Sequence, residues 1–336
     1  MKRTTTPDIL LLSLLLLALL LATLVSFSVG RYPLPVADIL RYVFTGEYSD
    51  ENLPVLLTDI RLPRIAAAIL AGGALSVSGA AYQGLFRNPV VSPDILGVSQ
   101  GAGFGAALAI ILSLGTFAIQ ASSFAMGIFS VCMALSISRI MSRGHDKILM
   151  LVLSGMIVGA MFGSLISLMK YVADSEYKLP DITFWLMGSL TGITMDEIAL
   201  ALPVIVVSLV PMFLFAWKLN VLSFGDEEAR AMGVNTGRLR FLLIACASLL
   251  TASVVCITGL IGWVGLIIPH LARFIVGPNH RALFPASFLL GGTFLLLVDD
   301  LARSISSLEV PLGIITSIIG APMFFIILRM TSKKTF

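Results

Sequence analysis

Two arginines three residues apart, Arg61 and Arg64, flank Leu62 and Pro63 at the edge of a long apolar run. A guanidinium is a planar fork of donors, so such a pair, held beside a rigid proline, suits carboxylates on a protein partner. The same pair also suits interfacial anchoring, with long side chains reaching lipid headgroups. His270 is the second distinctive group. It follows Pro269 inside G-L-I-G-W-V-G-L-I-I-P-H-L-A-R, residues 259–273, where a proline and an imidazole interrupt a membrane-grade apolar stretch. Proline removes a helical donor and crowds the preceding turn, so this spacing predicts a helix broken or kinked at Pro269 and His270. In hydrocarbon the freed backbone groups must find protein or a water-lined cavity. His145 and His280 form no ligand cluster with His270, and no metal site is expected; a hydrogen-bonded structural histidine is favoured there over a metal ligand. Asp299, Asp300, Arg303 and Glu309 sit at ends of apolar runs, where charges are ordinarily solvated.

A third informative segment is N-V-L-S-F-G-D-E-E-A-R-A-M-G-V-N at 220–235. Residues 226–232 combine helix formers with acids in the first turn, and Gly233 supplies a stop, so a short surface helix is expected between two spans. Leu222, Phe224, Ala229 and Met232 give it an apolar contact surface. Its acids, Glu228 among them, would be repelled by anionic lipid, which favours a protein partner over the bilayer. The glycines at 97–105 have no preceding strand, so a dinucleotide fingerprint is rejected in favour of close helix packing.

Several chemistries are missing. The chain has no Gly-x-x-x-x-Gly-Lys-Ser/Thr loop, hence no ATP site of that kind, and no His-Glu-x-x-His or Gly-x-Ser-x-Gly motif. Acids and bases in mid-span, which ion-coupled transporters use as relays, are almost missing, and this counts against the alternative of a secondary transporter. Cys132, Cys246 and Cys256 lie in apolar runs without metal spacing, so they read as packing residues.

These groups must be positioned by membrane helices. The 336 residues are 57% hydrophobic and 12% charged, far from the roughly 25% charged of soluble domains. Charge-free runs at 9–28, 65–86, 148–169, 198–217 and 310–328 each allow one crossing. The run 95–138 allows two, 241–272 one full and one short crossing, and 282–298 one more. The expectation is an all-α polytopic membrane protein of about ten spans, one permease domain over 1–336. Placing Lys2 and Arg3 inside gives 15 Lys/Arg on cytoplasmic segments against 7 outside, which argues for both termini in the cytoplasm. The first run is read as a retained helix, with Thr6-Pro7-Asp8 as cap, first-turn proline and acid. The stretch 218–240 is then the largest cytoplasmic loop. The net charge of +3 speaks to topology and gives no sign of nucleic acid.

Taken in order, R-L-P-R at 61–64, N-P at 88–89, W-x-x-G-S-L-x-G at 185–192, A-R-A-M-G at 229–233, the 259–273 stretch and E-V-P-L-G-I-I-T-x-x-I-G-A-P at 309–322 resemble the FecCD-type permeases of iron-chelate and vitamin B12 ABC importers. The resemblance covers about 58–328. It implies a homodimer in the bacterial inner membrane and two cytoplasmic ATP-binding subunits, so that ATP is bound by partners and this chain holds no cofactor. It also implies a periplasmic or lipid-anchored substrate-binding protein. By the same resemblance Arg61, Arg64 and Arg303 dock that protein, and the loop carrying Leu222, Phe224, Gly225, Glu228, Ala229, Met232 and Gly233 couples to the ATPase. Ferric siderophore, haem and cobalamin are the implied cargo, with an oxyanion such as molybdate as the alternative. The helix at 148–169, dotted with Ser154, Gly159, Gly163 and Ser167, is the candidate pore wall; it is nearly free of aromatic rings.

Overall fold

The computed structural model describes residues 6–48, 50–142, 147–305 and 309–332. Lys2, Arg3 and His145 lie outside them. Helices follow the apolar runs. After α1 (Thr6–Ser28) come a short α2 (Val36–Thr45) and one turn of α3 (Leu53–Val55), which passes through a π-helical turn (Leu56–Arg61) into α4 (Leu62–Phe86). Pro63 accounts for that wider turn. It offers no N–H to the carbonyl of Asp59 and its ring crowds that group, and an extra residue per turn relieves both without breaking the helix. A 3-10 turn (Pro93–Leu96) then leads into α5 (Val98–Ile111), α6 (Thr116–Met141) and α7 (Lys147–Val172). The chain continues through α8 (Lys178–Met187), α9 (Met195–Leu222), α10 (Asp226–Ala231), α11 (Thr236–Thr258), α12 (Val264–Val276), α13 (His280–Ile305) and α14 (Leu312–Ser332). The described residues include no strand.

Seven of these helical stretches are long and apolar enough to cross a bilayer, and Val98–Ile111, Val264–Val276 and Leu312–Ile327 are shorter apolar helices. α1 turns Ile9, Leu10, Leu14 and Leu17 outward, as a lipid-facing helix must. α4 is the opposite case, buried along most of its length among α9, α11, α12 and α13. Its small residues explain this. A Cβ at Gly72 would fall 2.1 Å from the carbonyl oxygen of Gly291 in α13, and one at Gly79 only 1.7 Å from that of Gly265 in α12. Backbones that touch in this way replace the hydrophobic drive that lipid does not supply. The Gly265 carbonyl is free to face α4 because Pro269, four residues on, cannot donate to it.

The helix break lies elsewhere than the proline predicts. Pro269 and His270 are both inside α12, and the chain is interrupted at 259–263, between α11 and α12. Gly259 (φ 68°) and Trp263 (φ 71°) take left-handed backbone there. Protein satisfies the surroundings: Ser189 N–H donates to Thr258 O at 2.8 Å, and Leu312 N–H to Gly188 O at 2.8 Å. Pro269 is tolerated because the bond it forfeits leaves a carbonyl already used in packing.

Candidate functional site

The charged residues gather at opposite ends of α4. At its start, Arg61 closes the π turn, Arg64 lies in the first turn of α4, and Arg303 arrives on the last turn of α13. All three are buried, with 4%, 7% and 6% of their surface exposed. Arg64 Nε donates to both carboxylate oxygens of Asp299 at 2.9 and 2.8 Å, and its Nη1 donates to Glu309 at 2.7 Å. Arg303 Nη2 donates to Ser26 O and Oγ at 2.7 and 2.6 Å and pairs closely with Asp300. Ser26 Oγ donates to Asp300 at 2.6 Å. Arg61 donates to the carbonyls of Phe27 and Tyr32, tying down the segment after α1. None of the three arginines is presented freely at the surface. Two guanidinium groups, of Arg64 and Arg303, meet the three carboxylates of Asp299, Asp300 and Glu309 inside the chain, and Arg61 is satisfied by backbone carbonyls; an unmatched charge at the margin of a membrane core is costly. The expectation that Asp299 and Asp300 are solvated is corrected, since Asp299 is fully enclosed. Burial alone would raise the carboxyl of Glu309, but the Thr191 hydroxyl and the Arg64 guanidinium outweigh it and hold it below the usual range.

Beside this network opens a recess of about 1050 Å³ bordered by Arg31, Gln120, Lys178, Trp185, Glu197 and Glu309. Gln120 Nε2 donates to Glu197 at 2.7 Å across it, bridging α6 and α9. The capping box of Thr194 and Glu197 fixes the start of α9 on its rim.

At the far end of α4 lies the loop helix α10. Gly225 (φ 134°) lets the chain turn off α9, and the Glu228 carboxylate folds back so closely that a Cβ on Gly225 would sit 2.0 Å from it. Asp226 is gripped from two sides: Arg240 of α11 donates at 2.6 Å, and Arg87 at the end of α4 at 3.3 Å. Arg87 also donates to Leu222 O at 2.8 Å. Gly233 (φ 78°) ends the helix, with Val234 N–H closing on Ala229 O at 2.9 Å. The four expected contact residues divide. Leu222 and Ala229 are fully buried and anchor the loop, so they are corrected from contact surface to anchor. Phe224 and Met232 stand out at 72% and 53% exposure. His270 Nε2 bonds Pro89 O at 2.7 Å, joining α12 to the turn after α4, and Arg273 Nη1 donates to Gln83 at 2.6 Å. The described residues contain no group of His, Cys, Asp and Glu able to hold a metal.

Residues 16–330 match the FecCD transport family. The chain belongs to that family. It is 40% identical to the molybdate import system permease protein MolB of Haemophilus influenzae, over 92% of either chain. It is 41% identical to the cobalamin import system permease protein BtuC of Halobacterium salinarum, over 83% of this chain and 74% of that one. With the hemin transport system permease protein HmuU of Yersinia pestis it shares 34% over 96% and 97%. A metal-chelate type ABC transporter solved in an inward-facing conformation superposes with a TM-score of 0.86 at 38% identity, covering 95% of this chain and 98% of that one. This FecCD chain is thus the membrane permease subunit of an ABC transporter, a part distinct from the ATPase.

In the FecCD permease the candidate pore wall is only partly open. Ser154 is fully buried and donates to Met150 O at 2.7 Å, so it is corrected to a packing residue. Gly159 lies against Gly97, Gly163 faces Gln100, and Ser167 is exposed. Sequence reasoning named Asp299, Asp300 and Glu309 but did not pair them with the arginines, and it did not find the Asp226 clamp. The clustering of Asp299, Asp300 and Glu309 in a chain so poor in charge was the available signal.

Proposed function

We propose that this permease imports a metal chelate of the ferric siderophore, haem or cobalamin class by alternating access, with ATP bound and hydrolysed on two cytoplasmic partner subunits. The observation that carries the reading is α10. It offers Phe224 and Met232 to a partner while Asp226 is held by α4 and α11, so a push on the helix reaches two central spans. The seven long helices and three shorter apolar ones make ten crossings, with both termini and α10 in the cytoplasm and apolar faces against lipid. A second copy completes the path, since one chain leaves Ile314, Ile318, Phe325 and Ile326 of α14 uncovered. The substrate-binding protein docks at the arginine end. There an acidic side chain reaches Arg64 by competing with Glu309, the more accessible of its two carboxylates, with 23% of its side chain exposed against none for Asp299. A molybdate cargo is the second reading, favoured by the 40% identity to the molybdate permease over 92% of both chains.

The test is co-purification with the cognate ATPase. The double variant Phe224→Ala/Met232→Ala should lose about thirtyfold in affinity, the size of removing two apolar contacts of roughly 1 kcal/mol each, with the permease still folded. Unchanged ATPase affinity sinks the coupling role of α10.

A further inference from the structure

The turn that carries Asp94 lies far deeper than a loop between spans. A Cβ on Gly97 would touch Gly159 at 3.1 Å, and Ser130 Oγ donates to Gly97 O at 2.9 Å. Gly159 and Ser130 stand close to the midpoints of α7 (Lys147–Val172) and α6 (Thr116–Met141). At 1.5 Å per residue this is about 16–18 Å from the cytoplasmic ends of both helices. The 3-10 turn Pro93–Leu96 is wedged there without room to shift: Gly155 lies under Ile95 O, where a Cβ would be 2.1 Å away, and Gly265 under Pro93 Cγ, at 2.3 Å. Ser99, the second residue of α5, donates to the Asp94 carboxylate, which places that group near mid-membrane.

Asp94 is exposed on the surface of the chain at this depth. A carboxylate presented to hydrocarbon there is strongly disfavoured. A water-filled path resolves the conflict. Among the described residues no cation pairs with Asp94, and Ser99 is its hydrogen-bond partner.

Resting on the importer reading, we propose that Asp94 and Ser99 form a cargo-contact site in the wall of the translocation path, suited to positively charged or hydrogen-bond-donating groups of a passing chelate. The rigid wedge presents the carboxylate at a fixed height, so that the field acts at one step of the passage.

The experiment uses the permease–ATPase complex in nanodiscs carrying Ser99→Cys and Cys132→Ala; Cys246 and Cys256 are buried. Rates of thiol modification are measured with a cationic (trimethylammonium) and an anionic (sulfonate) methanethiosulfonate of similar size, each normalised to a free thiol. A unit charge about 6 Å away in a water-filled path biases the cationic over the anionic reagent about tenfold. That ratio is expected, and Asp94→Asn should abolish it while Asp94→Glu keeps it. Failure of both reagents to react overturns the proposal, because the pair then faces lipid or a second copy. A ratio that ignores Asp94→Asn also overturns it, leaving Asp94 as a local cap for α5. Loss of the ATPase during purification sinks the importer reading instead, and it is seen before any reagent is added.

Discussion

Arg64→Met would put the buried network to a direct test. In the folded chain Asp299 is fully enclosed and takes its contacts from Arg64 at 2.8–2.9 Å; the other cation in range, Arg303 Nε, stands 3.7 Å away. Removing Arg64 strands that carboxylate, and breaking a buried pair on one side costs about 3–5 kcal/mol. At roughly 2–4 °C per kcal/mol for a large domain, the apparent melting temperature in detergent should fall by about 6–20 °C. Arg64→Met/Asp299→Leu, which removes both charges, should recover most of the loss. Added salt should not reproduce the effect, since enclosed pairs are little screened. A fall under about 2 °C, or a double variant as damaged as the single one, would refute the argument that Arg64 neutralises Asp299. The same outcome matters for docking. A reversed charge at Arg64 tests folding before it tests the binding protein, so Glu309→Gln, which frees Arg64 Nη1, is the cleaner docking variant.

Three other outcomes follow from the same geometry. Asp226→Asn loosens α10 from α4 and α11 by weakening two partly exposed ion pairs, each at most about 1 kcal/mol; transport per ATP hydrolysed in proteoliposomes should fall severalfold while the ATPase stays bound, and unchanged coupling would remove the clamp from the mechanism. Glu309 has its carboxyl depressed below its ordinary 4.5, so its contribution to stability is present above that value and is lost as pH falls through the lower folded one; the melting-temperature gap between the parent chain and Glu309→Gln should be constant from pH 7 to 5 and narrow below about pH 4.5. Gly79→Ala drives a methyl into the Gly265 carbonyl, where a Cβ falls 1.7 Å away. A loss of about 1–3 kcal/mol is expected from overpacking, read as lowered melting temperature and yield; wild-type stability would contradict the backbone contact between α4 and α12.

How much of this was written in the chain depends on distance along it. The apolar runs specified nearly every helix, because a bilayer forces the backbone to bond within each segment. The acids, glycine stop and helix formers of 225–233 likewise announced α10, since its caps and turns are local. Local rules misplaced the break at Pro269. Proline forbids one bond, but whether a helix ends depends on where the freed carbonyl goes, and that of Gly265 faces Gly79 on a helix nearly 190 residues earlier in the chain.

The sequence by itself determined a helical membrane permease with a loop helix at one end and arginines at the other, because burial length, charge-free runs and turn residues act over short stretches. Only the tertiary structure decided what the charges do. Asp299 meets Arg64 across 235 residues and Ser26 meets Asp300 across 274, so sequence proximity could not pair them. The turn that carries Asp94 is held by α6 and α7 near their own midpoints, a placement that its position just before α5 in the chain does not disclose. Charge interacts through space, and only the packed helices bring these groups together.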